Sequence, residues 1–373
     1  MATAKSQDFN ITSVGYYKRD NEMNVTVDVQ PKFTNSNYSR LLEFQEPEDY
    51  IRENDMNLGS PEVPHDGNIE NFFESLLNYI SIKGFGEEKP LFVTYKQVLS
   101  DVAAKFRMQT YIVCHMGMIF ISYKKLEKAD PEKLEKENPE NDETEIKKKV
   151  IARREAMGYT AGANFVHYWT KASEDEETPA DYATSNYKAV MKCDVRIGGK
   201  KEVVLYSTRI DAIEKESGRH VQMKTNRRNN FWTYRNHFWK MFFGHDSMMI
   251  LGTGSVSEEL TDWNLRSIEV LKLEDVFRKM EKIRQEKNEL RTQVYKIGPY
   301  EKWTLEQGKE HVRHFLSQVK NACSHSDGCF LATETRNHWN FEKVDEEHDA
   351  IREFANLVKT KMAVWKINFP NEC

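Results

Sequence analysis

The chain reads as an α+β protein, a single domain over residues 1–373 with a central mixed β-sheet flanked by helices. Short apolar runs rich in β-branched and aromatic residues recur along it, at 91–96, 109–123, 187–195, 203–210, 221–223, 247–256 and 267–273. Between them lie segments whose apolar residues repeat at helical spacing. The two kinds are interspersed without strict alternation, which points to a mixed sheet with helices over its faces rather than a doubly wound parallel one.

Residues 1–64 read as an irregular N-terminal arm, with a strand-like piece at 24–29 and a turn-rich DMNLGSPEVP. Ile69, Phe72, Phe73, Leu76, Leu77 and Ile80 then mark an amphipathic helix over 68–81. Val98, Leu99, Val102 and Phe106 mark a second, and 109–123 reads as a hairpin turning near Met116 and Gly117. The run at 124–149 is a charged loop insertion leading into a helix that continues to Gly158, followed by AGANFVHYW at 161–169. Further helices are expected at 274–290, 305–322 and 345–362, each with one apolar face.

A net charge of -5 over 373 residues, from 54 basic and 59 acidic side chains, provides no global attraction to nucleic acid. Any such attraction must come from a local patch. No stretch approaches the ~18 apolar residues of a membrane span, and the N-terminus has no signal-like apolar core. Membrane association is therefore not expected. The five cysteines are odd in number and scattered, which reads as reduced thiols in an intracellular protein, nuclear or cytoplasmic.

Chemistry concentrates at 203–245. Asp211 closes the first of two strands there, and Gln222 and Lys224 stand two apart on the second, so both leave the sheet on one face. This is the layout of a metal-dependent nuclease half-site, with a neutral Gln222 where a carboxylate is needed. Basic and aromatic residues follow, among which Arg227, Arg228 and Arg235 are the candidates for contacting nucleic acid. Phe238, Trp239, Phe242 and Phe243 fall at helical spacing and read as core. His311, His314, Cys323, His325 and Cys329 match no zinc spacing, and GTGS at 252–255 reads as a strand-ending turn rather than a phosphate loop.

In the order of these segments the chain resembles the DXO family of decapping exoribonucleases from about Gly15 to Trp365. The resemblance implies a DXO-like fold and a role at RNA 5′ ends, removing incomplete or non-standard caps with two divalent metal ions. The matching segments are FVTYKQVL, GANFVHY, STRIDAI, HVQMKT and YRNHFWKMFFG. Lys96 stands for the family's Arg, Val166 for a metal-binding Glu, Arg209 for the first acid of the Glu-x-Asp pair and Gln222 for that of Glu-x-Lys, with Gly244 near the family's Gln. Asp211 and Lys224 are retained.

One carboxylate beside one guanidinium cannot balance two dications, and Arg209 would repel a metal placed next to it. The inventory suits an anion instead, since Lys96, Arg209 and Lys224 can hold a phosphate. The expectation is an RNA 5′-end or nucleotide-binding pseudo-enzyme needing no cofactor. A second reading is an active Mg- or Mn-dependent decapping nuclease, with Asp211 as a metal ligand and further acids from Asp246, Glu214 or Glu216. The third is a non-catalytic partner of a 5′ to 3′ exonuclease.

Overall fold

The computed structural model describes residues 9–20, 22–44, 47–54, 56, 58–59, 72–106, 108–124, 142–171, 186–227, 230–257, 262–290, 304–324, 327–335 and 338–372. The chain begins with β1 (Asn10–Arg19), β2 (Val25–Val27), β3 (Phe33–Thr34), α1 (Ser36–Glu43), α2 (Pro47–Glu53) and α3 (Phe72–Lys83). Then come β4 (Phe92–Tyr95), α4 (Lys96–Ala103), β5 (Gln109–His115), β6 (Met118–Lys124), α5 (Asp142–Tyr168), β7 (Thr170–Lys171), β8 (Asn186–Ile197), β9 (Lys200–Arg209), β10 (Ala212–Ile213) and β11 (His220–Asn226). It ends with α6 (Phe231–Gly244), β12 (Asp246–Val256), β13 (Trp263–Leu271), α7 (Leu273–Leu290), α8 (Leu305–Ala322), β14 (Gly328–Thr335), β15 (His338–Val344) and α9 (Arg352–Asn368).

The strands form two sheets rather than one. A mixed nine-stranded sheet runs β15-β14-β5-β6-β4-β9-β8-β1-β2, and a six-stranded sheet runs β13-β12-β11-β10-β3-β7. Apolar side chains of α4, α6, α7 and α8 join inward residues of both sheets in one core that includes Val98, Phe238, Trp239, Met249, Val276 and Phe315. Helices α3 and α9 cover the opposite face of the large sheet through Leu76, Ile80, Val358 and Trp365. Helix α5 covers the other face of the small sheet through Ala161, Phe165 and Val166. Phe238, Trp239 and Phe243 of α6 are core and Phe242 packs against them, as their spacing indicates.

The expected irregular arm is, over its described residues, part of the sheet framework. β1 pairs with β8 along its whole length, with a register shift between Ser13 and Gly15, and Tyr17 is fully buried. That bulge interrupts the two-residue alternation a strand would otherwise show. A Cβ at Gly15 would come 2.2 Å from Tyr79 Oη, so the bulge needs glycine. Of the charged run at 124–149, Lys124 ends β6 and 142–149 open α5, while 125–141 lie outside the described residues. Residues 68–71 of the first expected helix also lie outside them, and α9 starts later than expected, after turns near Asp345 and His348.

Two hairpins carry the turn chemistry that two-residue loops require. Met116 and Gly117 both have positive φ between β5 and β6, as do Gly198 and Gly199 between β8 and β9. GTGS lies inside β12 and not at its end. Cβ atoms at Gly252 and Gly254 would meet Phe165 at 2.9 Å and the Asn264 carbonyl oxygen at 2.4 Å, so close approach explains both glycines. The thiols depart from expectation: Cys114 on β5 and Cys323 at the end of α8 form a disulfide, with Cα atoms 6.2 Å apart. Pairing of β14 with β5, which sets Gly328 opposite Cys114, draws these distant positions together. Cys193 and Cys329 are free and buried.

Candidate functional site

The chain crosses from the large sheet to the small one at Ile210–Asp211, between β9 and β10, and the candidate site lies at this crossover. Asp211 is buried, with two hydrogen-bond donors and one further ion-pair partner. Its Oδ2 accepts the Met223 amide at 3.0 Å and Lys224 Nζ at 2.9 Å, and Arg209 Nε stands 3.1 Å from Oδ1. Burial alone would raise this carboxyl, but the charges of Lys224 and Arg209, with the Met223 amide, hold it well below the usual carboxylate range. Arg209 and Lys224, from different sheets, thus converge on one acid.

Other basic groups surround this triad. Lys96 follows β4, whose Tyr95 lies beside Ser207 of β9. Its ammonium is pushed down by burial and by Lys224 and Arg209, with Asp246 and Asp211 opposing. Lys188 on β8 is opposite Arg209 in register and only 6% exposed. Like charges directly across a strand pair are unfavourable. Burial, then Arg19, Arg209 and Lys96, depress Lys188 far below its ordinary value. On the opposite face of β8, the ammonium groups of Lys18 and Lys32 sit 5.5 and 5.9 Å from the Tyr187 ring centroid.

On β11 the side chains of His220, Gln222 and Lys224 share one face by strand alternation. His220 is buried, with Nδ1 3.0 Å from the Gly244 carbonyl oxygen and Nε2 3.2 Å from Tyr16 Oη. Nδ1–H donation to that carbonyl leaves Nε2 as the acceptor of the Tyr16 hydroxyl. Burial holds this imidazole below its ordinary pKa, aided by Lys96. Gln222 is 4% exposed, and its Oε1 has no hydrogen-bond partner among the described residues.

Asp246 opens β12 opposite His220. Its carboxyl is pushed up to about 7, chiefly by burial and further by Asp211, while Lys96 and Lys224 pull it back. Room for it comes from Gly244, where a Cβ would lie 2.4 Å from Asp246 Oδ2. The position expected to match a family glutamine is therefore the glycine that admits this acid. On α6, His237 lies 2.8 Å from Asn226 and is held down at about 3 by burial, Lys240 and Lys224.

Of the residues singled out in sequence, Lys96, Arg209, Asp211, Gln222 and Lys224 come together. Val166 does not join them: it is buried in the apolar cluster with Val221 and Met223. Arg235 is likewise no nucleic-acid contact. It is 7% exposed and lies beneath Trp232, at 4.3 Å from the ring centroid, with Phe106 and Phe231 near it. Arg227 is exposed and donates from Nη2 to the Arg154 carbonyl at 2.7 Å, and Arg228 lies outside the described residues.

The acids considered as substitutes divide. Asp246 enters the cluster, whereas Glu214 bonds Tyr38 and Ser217, and Glu216 is exposed on the turn. His311 and His314 line a separate cavity of about 250 Å³ with Trp339, and Cys323 is committed to its disulfide. Lys188 and His220 were missed in sequence. Counting outward from the two-residue turn at Gly198–Gly199 puts Lys188 opposite Arg209, so hairpin register could have found the first.

A metal pair finds a poor donor set here. Both Asp211 oxygens face cationic or amide donors, Gln222 is neutral, Val166 is apolar, and Arg209 occupies the approach. Among the described residues no group of three or more His, Cys, Asp or Glu side chains is arranged to hold a metal ion. Four basic side chains, Lys96, Lys188, Arg209 and Lys224, face two acids, Asp211 and Asp246. Such an excess favours an arriving anion, which would relieve their mutual repulsion.

No family model matches this chain, and no curated protein matches it in sequence. Solved structures do match. Scheffersomyces stipitis Rai1 is similar at TM-score 0.65 with 11% identity, covering 99% of this chain and 100% of that one. Candida albicans Rai1 in complex with pU5 and Mn2+ is similar at TM-score 0.59 with 12% identity, covering 95% of each chain. K. lactis Dxo1 in complex with manganese follows at TM-score 0.58 with 9% identity, covering 91% of each. The likeness shows a shared fold over nearly the whole length.

Proposed function

We propose that this chain, which has the fold of the Rai1 and Dxo1 proteins, is a divergent DXO-family protein that holds an RNA 5′ end at Asp211 without cutting it. The observation that carries the reading is the buried Lys188 directly opposite Arg209, with Lys96 and Lys224 close by and two carboxyls, Asp211 and Asp246, among the four. That array is unfavourable alone and favourable around a phosphate, which Arg209 can grip through two parallel hydrogen bonds. The pU5 in the Candida albicans Rai1 complex is a ligand of the chemistry this cluster suits.

The chain's own residues then act by binding. Arg209, Lys96 and Lys224 would take the 5′-phosphate oxygens, which compete with the Asp211 carboxylate for Arg209 and Lys224. The reading of an active metal-dependent nuclease would draw on Asp246 as its one substitute acid, and Arg209 and Lys96 oppose a dication there. Partnership with a 5′ to 3′ exonuclease rests on the family resemblance.

The test is a binding titration of 5′-phosphorylated single-stranded RNA with chelator present, over a range of salt. Binding should weaken steeply as salt rises, and Arg209→Ala should lose about tenfold or more in affinity. Length analysis of the RNA after incubation with magnesium or manganese should show it intact. Absence of binding, or cleavage stimulated by metal, would overturn the reading.

A further inference from the structure

The edges of the two sheets are β15, β2, β13 and β7, and all but the first are protected. β2 is three residues long and β7 two, while β13 meets a register shift at Thr253–Gly254 and packs beside α2. Short strands and bulges blunt an edge, whose unpaired N–H and C=O groups otherwise template another strand. β15 has neither device among the described residues. It pairs with β14 without a shift over its seven residues, His338–Val344, and contains no proline. Two residues join these strands, so the closing pair Thr335–His338 exchanges both hydrogen bonds. Alternation from that pair turns the N–H and C=O groups of Trp339, Phe341 and Lys343 outward.

The side chains of β15 complement a second copy of the same strand. With two copies antiparallel about a two-fold axis and fully overlapped, Phe341 meets the partner's Phe341 on the axis. Trp339 then lies opposite the partner's Lys343, Asn340 opposite the partner's Glu342, and His338 opposite the partner's Val344. Aromatic pairs, an ammonium on an indole and an amide donating to a carboxylate are all favourable across strands, and no like charges meet. Sliding the copies by two residues sets Glu342 against the partner's Glu342 in one direction. In the other it leaves Lys343 and Val344 facing the partner's turn. Both outward-turned rings, Trp339 and Phe341, are only half-buried. We infer that two copies of this chain pair through β15, joining their nine-stranded sheets into one across a two-fold axis. β15 stands five strand spacings, roughly 24 Å, from β9, so the pairing is independent of the anion site.

Sedimentation equilibrium of the full chain should give twice the chain mass at high protein concentration, with dissociation on dilution. Phe341→Asp sets two carboxylates against each other on the axis and should leave a monomer, whereas Phe341→Tyr should keep the dimer, with thermal unfolding checking that both fold. Lys343→Glu changes an exposed residue, so it keeps the test decisive if Phe341→Asp fails to fold. It removes both ammonium–indole contacts and should weaken the dimer about tenfold. The register has its own readout. Asn340→Cys combined with Glu342→Cys brings thiols face to face on Cα atoms about 4.5 Å apart, close enough for a disulfide. Diamide, which takes up the two hydrogens, should convert this double variant to a covalent dimer that reductant dissolves, and should leave each single variant uncrosslinked. Wild-type protein that stays monomeric at every concentration would overturn the inference. So would a dimer that withstands Lys343→Glu, or one that does not cross-link in the double variant.

Discussion

Asp211→Ala should destabilise the protein by about 3–5 kcal/mol, the range for removing one member of a buried ion pair and leaving its partners uncompensated. The substitution takes away the acceptor of the Met223 amide and of Lys224 Nζ and the counter-charge of Arg209. Asp211→Asn should cost less, because the carboxamide oxygen can still accept the amide. The sign with pH follows from a carboxyl held below its ordinary value. Its contribution is complete above the unfolded carboxylate pKa of about 4 and is lost as pH falls through the lower folded value. Urea unfolding between neutral pH and pH 3 should therefore show the gap between wild type and Asp211→Ala narrowing on acidification. RNA affinity should move the other way: a cluster stripped of its central negative charge should bind a 5′-phosphate at least as tightly as wild type. In an active nuclease the same substitution would abolish function.

Asp246→Asn should stabilise the protein by roughly 2–3 kcal/mol at pH 8, measured by the same unfolding titration, and leave it unchanged at pH 4. Here the folded carboxyl titrates at about 7, above the ordinary 3.8, chiefly because it is buried. A raised value means that its contribution is fully present below the unfolded pKa and is lost as pH rises through about 7. The attraction to Lys96 that Asn would forfeit offsets part of the gain. The two carboxyls of the cleft should thus give stability slopes of opposite sign.

Local chemistry makes much of this cleft legible in the amino-acid sequence. Asp211 at a strand end and Gln222 and Lys224 on one face follow from strand alternation, which the β9–β10–β11 arrangement obeys. Helical spacing likewise places Phe238 and Trp239 in the core. The misses have physical causes too. Arg235 reads as a surface cation, but the aromatic rings around it enclose the guanidinium, and interleaved basic and aromatic residues do not reveal which is uppermost. The bulge at Gly15 hides β1, and the disulfide depends on a pairing of strands more than two hundred residues apart. Strands β14 and β15 mix polar and apolar residues within the charged surroundings of 328–344, so their alternation does not stand out as a pair of apolar runs.

The basic cluster around Asp211 should welcome anions and not dications. Isothermal titration calorimetry addresses it most directly, with manganese alone, with 5′-phosphorylated RNA in chelator, and with both together. Manganese alone should give no stoichiometric heat, RNA should bind without metal in a salt-sensitive way, and RNA length should not change when the two are combined. Stoichiometric manganese binding that disappears in Asp211→Ala, accompanied by shortened RNA, would contradict it.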